Sequence, residues 1–186
     1  PNYFTGRDRL RVLLFGIEPD LRRFIRRNAR RGMTVLDIGG NVGLICRIFA
    51  TTVGSQGRVL SFEPDPYTRR FLEHNVQRFR NTTVFPIAIS DANKVANLYL
   101  HPGSGTANSL LAISEATESV QVQCSTLDKF LEVEATVRPD IIKIDVEGAE
   151  PEVFSGMINT IRQLPQIMII TEFCPANLAN GRHSPS

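Results

Sequence analysis

A glycine cluster and two acids occupy positions where proteins of mixed helix and strand hold ligands. The stretch LDIGGNVG, residues 36–43, places Asp37 and three glycines directly after an apolar run. Glu63 follows the next apolar run, twenty residues after Gly43. Glycine lets a backbone approach a ligand closely, and a carboxylate can accept hydrogen bonds from both hydroxyls of a ribose. The ligand could be a dinucleotide, a nucleoside triphosphate or a molecule without phosphate.

The spacing of the glycines argues against both phosphate ligands. A dinucleotide motif, G-x-G-x-x-G counted from Gly39, needs glycines where the chain has Asn41 and Leu44. A triphosphate loop needs a lysine, and Arg47 is the nearest cation. The carboxylate of Asp37 repels phosphate and suits an amine. S-adenosylmethionine combines an amino group, a sulfonium and a ribose, so we expect it to be the cofactor.

A second group of acids lies in IDVEGAE, residues 144–150. Asp145 and Glu147 are two residues apart at a predicted strand end, so they point the same way if the strand continues. Either acid, or Glu172, could act as a general base toward an attacking hydroxyl. Other roles stay open: the pair could hold a divalent metal, although we expect none, and Glu147 could cap the next helix. We expect Glu150 to interact with the dipole of that helix.

Strand-like and helix-like segments alternate along the chain. Short apolar runs predict buried strands at 34–38, 58–63, 82–90, 140–146 and 166–173. Apolar residues at helical spacing, or a preceding turn, predict helices at 19–31, 42–53, 66–79 and 150–163. The alternation predicts an α/β fold: a doubly wound, mostly parallel sheet with helices on both faces.

The region 92–135 interrupts this alternation. We predict strands at 95–101 and 120–127, joined as a hairpin-like insertion around a loop at 101–110. Within that loop, Asn108 and Ser109 could hydrogen-bond an acceptor molecule.

Composition limits the classes of protein that fit. The chain has 186 residues and a net charge of +2, which suits one domain and gives no strong sign of a nucleic-acid partner. We divide it into a helical segment 1–32, a core 33–175 and a flexible tail 176–186. The arginines of the first helix are expected to form a solvated face, and Lys143, inside a buried strand, is expected to be ion-paired.

The cysteines and the hydropathy favour a cytoplasmic location. Cys46, Cys124 and Cys174 are far apart and odd in number, which argues against a disulfide framework or a zinc site. No apolar run reaches the roughly 18 residues that a membrane span needs. We therefore expect a cytoplasmic protein that has no membrane partner, and the sequence carries no signal for an oligomeric state.

Several motifs resemble a known family. VLDIGGNVG resembles motif I of the Rossmann-like methyltransferases that use S-adenosylmethionine. Five further motifs resemble the FkbM-type branch of these enzymes: FEPDP at 62–66, AISD at 88–91, TLDKF at 126–130, IKIDVEGAEPEVFSG at 142–156 and ITEF at 170–173. The resemblance covers roughly residues 18–175. The resemblance implies O-methylation of a hydroxyl on a sugar, a glycan or a natural-product small molecule.

The resemblance also implies site residues. The methionine part of the cofactor would lie along Asp37, Gly39, Gly40, Asn41 and Gly43, where Gly40 replaces a usual alanine. Glu63 would bind the ribose, and Asp145 would face the methyl group. The adenine would lie among Pro64, Asp65, Ala88 and Ile89. The chain departs from the family pattern at its end, because about a dozen residues follow QIMIITEF where a closing antiparallel hairpin is usual. Either the hairpin is absent or the chain is truncated.

Three other functions remain open. An NAD-dependent oxidoreductase is disfavoured by the missing glycines. A truncated or non-catalytic cofactor-binding module that serves a partner protein would explain the missing hairpin. A nucleic-acid methyltransferase could use the arginine-rich helix, but the usual signature, Asn or Asp followed by Pro-Pro-Tyr/Phe, is absent.

Overall fold

The structure is a computed structural model that describes residues 19–100, 108–110 and 118–171. Its helices are α1 (Pro19–Asn28), α2 (Leu44–Val53), α3 (Pro66–Val76), α4 (Leu127–Val133), α5 (Glu150–Ser155) and α6 (Ile158–Gln163). Its strands are β1 (Thr34–Ile38), β2 (Arg58–Phe62), β3 (Thr82–Phe85), β4 (Ile87–Ile89), β5 (Lys94–Leu100), β6 (Glu118–Ser125), β7 (Ile141–Ile144) and β8 (Met168–Thr171).

Five strands form one parallel sheet in the order β3-β2-β1-β7-β8. The chain moves outward from β1 to β3 and then returns to the other side of β1, so the strand order reverses between β1 and β7. In open sheets of this kind, ligands bind beyond the carboxyl ends of the strands at such a reversal. The predicted α/β fold with a mostly parallel sheet is confirmed.

Successive residues of the central strands point to opposite faces of the sheet, and each face has its own core. Leu36 and Ile38 of β1 pack in a cluster with residues of α4 and α5. Val35 packs on the other face with residues of α1, α2 and α3. The sheet is therefore covered on both sides, which explains why its strands are almost continuously apolar.

A second, three-stranded sheet has the order β4-β6-β5. Strand β5 runs antiparallel to β6, while β4 pairs with β6 in parallel. The antiparallel pairing of the two strands predicted for the insertion is confirmed. An isolated antiparallel bridge also joins Tyr99 at the end of β5 to Ser109.

The prediction of one strand over residues 82–90 was wrong. The segment forms β3, which belongs to the parallel sheet, and β4, which belongs to the small sheet. Pro86 lies between them. Proline has no N–H to donate to a strand ladder, so it interrupts the pairing at the point where the chain changes sheet.

The prediction of one helix over residues 150–163 was also wrong. Helix α5 ends at Ser155 and α6 begins at Ile158. A Cβ atom on Gly156 would lie 2.0 Å from the carbonyl oxygen of Ser90, so the break brings this glycine against the end of β4. The first helix ends at Asn28, three residues before the predicted end, and its arginines from Arg22 onward are exposed.

Some predictions fall outside the described residues, namely positions 101–107 of the predicted loop, Glu172, the tail 176–186 and the closing hairpin. Among the helices that the structure describes, none combines the length and apolar character of a membrane span.

Candidate active site

A cleft lies at the carboxyl ends of the central strands, beside the reversal of strand order. It is partly open to solvent, and the cavity within it has a volume of about 60 Å³. Its lining residues are Ile38, Gly39, Asn41, Phe62, Glu63, Pro64, Ala88, Ile89, Leu98, Asn108, Leu110, Asp145, Val146 and Glu147. The lining combines apolar side chains with three carboxylates, and no lysine or arginine is among these residues.

The glycine turn after β1 is shaped by contacts within the protein. The backbone N–H groups of Gly39 and Gly40 both donate to the carbonyl oxygen of Phe62, at 3.1 and 2.9 Å. Gly39 has φ +79°, and a Cβ atom there would lie only 1.9 Å from the backbone oxygen of Asp145. Glycine is needed at position 39 because two strand ends meet there, one after β1 and one after β7.

Two other motif glycines face away from the cleft. A Cβ atom on Gly40 would lie 2.2 Å from the Oγ atom of Ser61, and one on Gly43 would lie 2.6 Å from the side chain of Leu72 in α3. Both positions therefore permit close packing of the turn against β2 and α3. Neither residue lines the cleft.

Glu63 is a buried acid held in place by the backbone at the edge of the cleft. Its Oε2 accepts the N–H of Asn41 at 2.8 Å, and its Oε1 accepts the N–H of Asp65 at 2.9 Å. Burial raises the pKa of Glu63 to about 7, although both backbone N–H groups oppose the rise. Each carboxylate oxygen has lone-pair capacity left for a further donor.

Asp37 lies behind the cleft rather than on its surface. It is in register with Ser61 of β2 and with Lys143 of β7, so the three side chains form a row across the sheet. Ser61 donates its hydroxyl to Asp37 Oδ2 at 3.0 Å, and the Lys143 Nζ lies 3.3 Å from Asp37 Oδ1. Burial raises the pKa of Asp37, and the Lys143 ammonium opposes the rise. The predicted pairing of Lys143 is confirmed.

Asp145 and Glu147 both line the cleft, although β7 ends at Ile144. The chain turns at Glu147, which has φ +54°. The two-residue alternation of a strand therefore does not apply to this pair. Glu150 accepts the N–H groups of Val146 and Gly148, at 3.1 and 3.3 Å, and so stabilises the turn.

The segment 108–110 ties the two sides of the cleft together. Asn108 donates its side-chain N–H to Asp65 Oδ2 at 3.2 Å, and Ser109 donates its hydroxyl to the carbonyl oxygen of Glu147 at 2.9 Å. Asp65 itself is the N-cap of α3, where it accepts the backbone N–H groups of Tyr67 and Thr68. Asp65 does not line the cleft but supports it from outside.

The structure brings eight of the predicted site residues together around the cleft: Gly39, Asn41, Glu63, Pro64, Ala88, Ile89, Asp145 and Glu147. Asp37, Gly40, Gly43 and Asp65 lie in the layer around them. Five further apolar residues of the lining were not predicted from the sequence: Ile38, Phe62, Leu98, Leu110 and Val146. The signal available for Ile38 and Phe62 was their position as the last residues of β1 and β2. Among the residues described, no cluster of three or more His, Cys, Asp or Glu side chains is suited to a metal ion.

The chain matches a known domain family and several characterised proteins. The model of the family described as "Methyltransferase FkbM domain" matches residues 37–183. The chain is 28% identical over 153 residues to the hexuronic acid methyltransferase AglP of Haloferax volcanii, which covers 82% of this chain and 61% of that protein. It is 25% identical over 163 residues to the 2-O-methyltransferase NoeI of Sinorhizobium fredii, which covers 80% of this chain and 66% of that protein. The chain thus spans less than two thirds of either relative.

The fold is also found among solved structures. The crystal structure of methyltransferase FkbM from Methylobacillus flagellatus superposes with a TM-score of 0.53 and 16% identity. The match covers 82% of this chain and 34% of that one. At this identity the likeness concerns the fold alone, and it agrees with the parallel sheet described above.

Proposed function

The chain belongs to the FkbM methyltransferase family, and on that premise we propose that it binds S-adenosylmethionine in the cleft and methylates a hydroxyl group of a sugar, a glycan or a related small molecule. Family membership favours methyl transfer over the NAD-dependent oxidation that the sequence left open.

The charge of the cleft supports this cofactor. Glu63, Asp145 and Glu147 line it, and none of the described lining residues is a lysine or an arginine. A phosphate-bearing ligand would be repelled there, whereas an amino group and a sulfonium would be attracted. This combination of three acids with no lysine or arginine among the described lining residues supports the proposal most directly, and the nearby ammonium of Lys143 lies behind the cleft, where it pairs with Asp37 and Asp145.

The fixed carboxylate of Glu63 suits the ribose. Because Asn41 and Asp65 hold one oxygen each through their backbone N–H groups, the carboxylate cannot rotate freely. Its remaining lone pairs can accept both ribose hydroxyls. The apolar side chains nearby, among them Ile89 and Leu98, offer a surface for an adenine ring.

The relatives support a hydroxyl acceptor on a sugar. One is named for a hexuronic acid and the other for 2-O-methylation. When bound, the cofactor supplies a methyl group on a positively charged sulfur, which leaves as a neutral thioether. The methyl group would form its new bond to the acceptor oxygen, and a carboxylate of the cleft would take the proton that this hydroxyl loses. Asp145 and Glu147 are the described acids placed to take it, and this would accelerate transfer by roughly 10²–10⁴-fold.

Calorimetric titration with S-adenosylmethionine and, separately, with NAD tests the cofactor. We expect binding of the first alone, weakened by Glu63→Ala. The matched control is Glu73→Ala, an acid of α3 whose side chain is 56% exposed and pairs only loosely with Arg69, at 3.6 Å. Binding of NAD in place of S-adenosylmethionine would overturn the proposal.

The acceptor is tested with a radiolabelled methyl group. Purified protein is incubated with labelled S-adenosylmethionine and a panel of glycosides, uronic acids and matched deoxy sugars, and product is separated from cofactor. We expect label on a glycoside or uronic acid, attached as an ether that withstands mild base, and no label on the matched deoxy sugar that lacks the methylated hydroxyl. Cofactor binding without transfer to any member of the panel would instead favour a non-catalytic cofactor-binding module.

A further inference from the structure

Lys143 is a buried lysine to which the chemistry proposed above assigns no task. Its side chain is 5% exposed and lies in β7, in register with Asp37 of β1. A buried ammonium is unfavourable unless it is paired and hydrogen-bonded. The identity of its partners therefore indicates its role.

Three acceptors surround the Lys143 ammonium, which has three N–H donors. Its Nζ donates to the carbonyl oxygen of Gly39 at 2.6 Å and lies 3.3 Å from both Asp37 Oδ1 and Asp145 Oδ2. Asp37 is fully buried, but the other two partners line the cleft. The Lys143 ammonium thus contacts, from behind the cleft, the Gly39 carbonyl after β1 and the Asp145 carboxylate after β7. These two strands lie on either side of the point where the strand order reverses.

These contacts exceed what charge neutralisation requires. A lysine that only balanced Asp37 would need one carboxylate partner, whereas Lys143 also contacts the glycine turn and a cleft acid. Burial alone would lower the pKa of Lys143, but the carboxylates of Asp37 and Asp145 outweigh that effect and raise it above its ordinary value. The group stays charged and keeps all three contacts.

We propose that Lys143 is a positioning residue that fixes the Gly39 carbonyl and the Asp145 carboxylate relative to each other. The cofactor and the acceptor then contact a cleft surface formed by the residues after β1 and after β7. These two segments cannot shift independently of each other. The consequence for catalysis rests on the proposed function, whereas the consequence for the order of the glycine turn does not.

The test must separate positioning from charge balance. Lys143→Met alone leaves the buried Asp37 carboxylate without its counter-ion, so this variant is expected to be destabilised. The double variant Lys143→Met/Asp37→Asn removes both charges and is expected to be about as stable to heat as Asp37→Asn. Comparing the double variant with Asp37→Asn therefore isolates what the lysine contributes apart from balancing Asp37. Lys129→Met, at an exposed lysine of α4, is the control for the substitution itself.

Two measurements decide the outcome. We expect the double variant to bind S-adenosylmethionine about tenfold more weakly than Asp37→Asn, because a hydrogen bond involving a charged group corresponds to roughly that factor. We also expect faster amide hydrogen exchange at residues 39–43. Equal affinity and equal exchange in the two variants would overturn the proposal and leave Lys143 with charge balance only.

The exchange measurement keeps this proposal separate from the proposed function. If the unmodified protein does not bind S-adenosylmethionine, the proposed function fails. The exchange rates at residues 39–43 still support the positioning role if they rise in the double variant, and refute it if they do not.

Discussion

The Glu63 carboxylate is joined to the backbone N–H of Asn41 by a hydrogen bond of 2.8 Å that links the glycine turn after β1 to the end of β2. The two residues are 22 positions apart in the chain. The bond fixes an acid at the cleft edge, and burial raises the pKa of that acid to about 7. The site therefore contains a group that titrates near neutral pH.

Glu63 should make the stability of the protein depend on pH. Its pKa is about 7 in the folded state and 4.5 ordinarily, so between these values the folded state holds a proton that the unfolded state has lost. The free energy of unfolding should therefore fall as pH rises through this range, by about 3 kcal/mol in all. Denaturant titrations from pH 4.5 to 8 measure it. Glu63→Gln should lack this part of the slope, and an unchanged slope would assign it to other groups.

Titration of Glu63 should also make the affinity for the cofactor depend on pH. Ribose hydroxyls donate to the ionised carboxylate, so affinity for S-adenosylmethionine should increase as pH rises from 6 to 8. Calorimetry in two buffers of different ionisation enthalpy would detect the proton released on binding below pH 7. Glu63→Gln corrects for titration of the cofactor's own amine. If the variant shows the same pH profile as the unmodified protein, Glu63 is not the titrating group.

Asp145→Asn should lower methyl transfer by roughly 10²–10⁴-fold, the usual contribution of a general base. Affinity for S-adenosylmethionine should change far less, so the loss should appear in kcat. Steady-state kinetics with an acceptor found in the glycoside panel measures both constants. Glu147→Gln is the comparison, and a larger loss of kcat in that variant would assign proton abstraction to Glu147.

Gly39→Ala should destabilise the fold more than an alanine at another left-handed glycine. The new Cβ would lie 1.9 Å from the Asp145 backbone oxygen, whereas a Cβ on Gly32, with φ +87°, meets nothing within 4 Å. Gly32→Ala should cost about 1–2 kcal/mol from its backbone conformation alone. Gly39→Ala should cost about 1–3 kcal/mol more from overpacking. Equal losses in denaturant unfolding would contradict the close approach of the two strand ends.

Asp128→Ala should destabilise the protein by about 1–3 kcal/mol. The Asp128 carboxylate in α4 accepts the backbone N–H groups of Asn159 and Thr160, at 3.0 and 2.7 Å, and so caps α6 across a gap in the sequence. Glu132→Ala, at an exposed acid of the same helix, should change stability by less than about 0.5 kcal/mol. The urea concentrations at the unfolding midpoints of the two variants are compared. Similar midpoints would show that α6 does not depend on this cap.

Much of this site could be predicted from local patterns. Strand ends can be located from apolar runs, and Glu63 and Asp145 stand directly after such runs, so their convergence follows from parallel pairing. The glycine spacing argued against phosphate ligands for a local reason as well. These predictions needed only the order of residues along each segment.

The role of Asp37 could not be predicted in the same way. Its partners, Ser61 and Lys143, belong to two other strands, and only the register of β2-β1-β7 places the three side chains in one row. The break at Gly156 likewise depends on Ser90, a residue distant in sequence that directly follows β4. Such contacts are tertiary, and no periodicity within a single segment reports them.

Pro86 separates two sheets that both contribute residues to the cleft. The chain crosses there from the parallel sheet to the small sheet, whose strand β4 supplies Ala88 and Ile89 to the cleft. The register of the five parallel strands is set by their own backbone pairing, in which no residue of β4, β5 or β6 takes part. The apolar surface proposed for the adenine and the carboxylate proposed for the ribose therefore stand on separate sheets, so a substitution in the small sheet can alter the adenine contacts without changing the strand register beside Glu63.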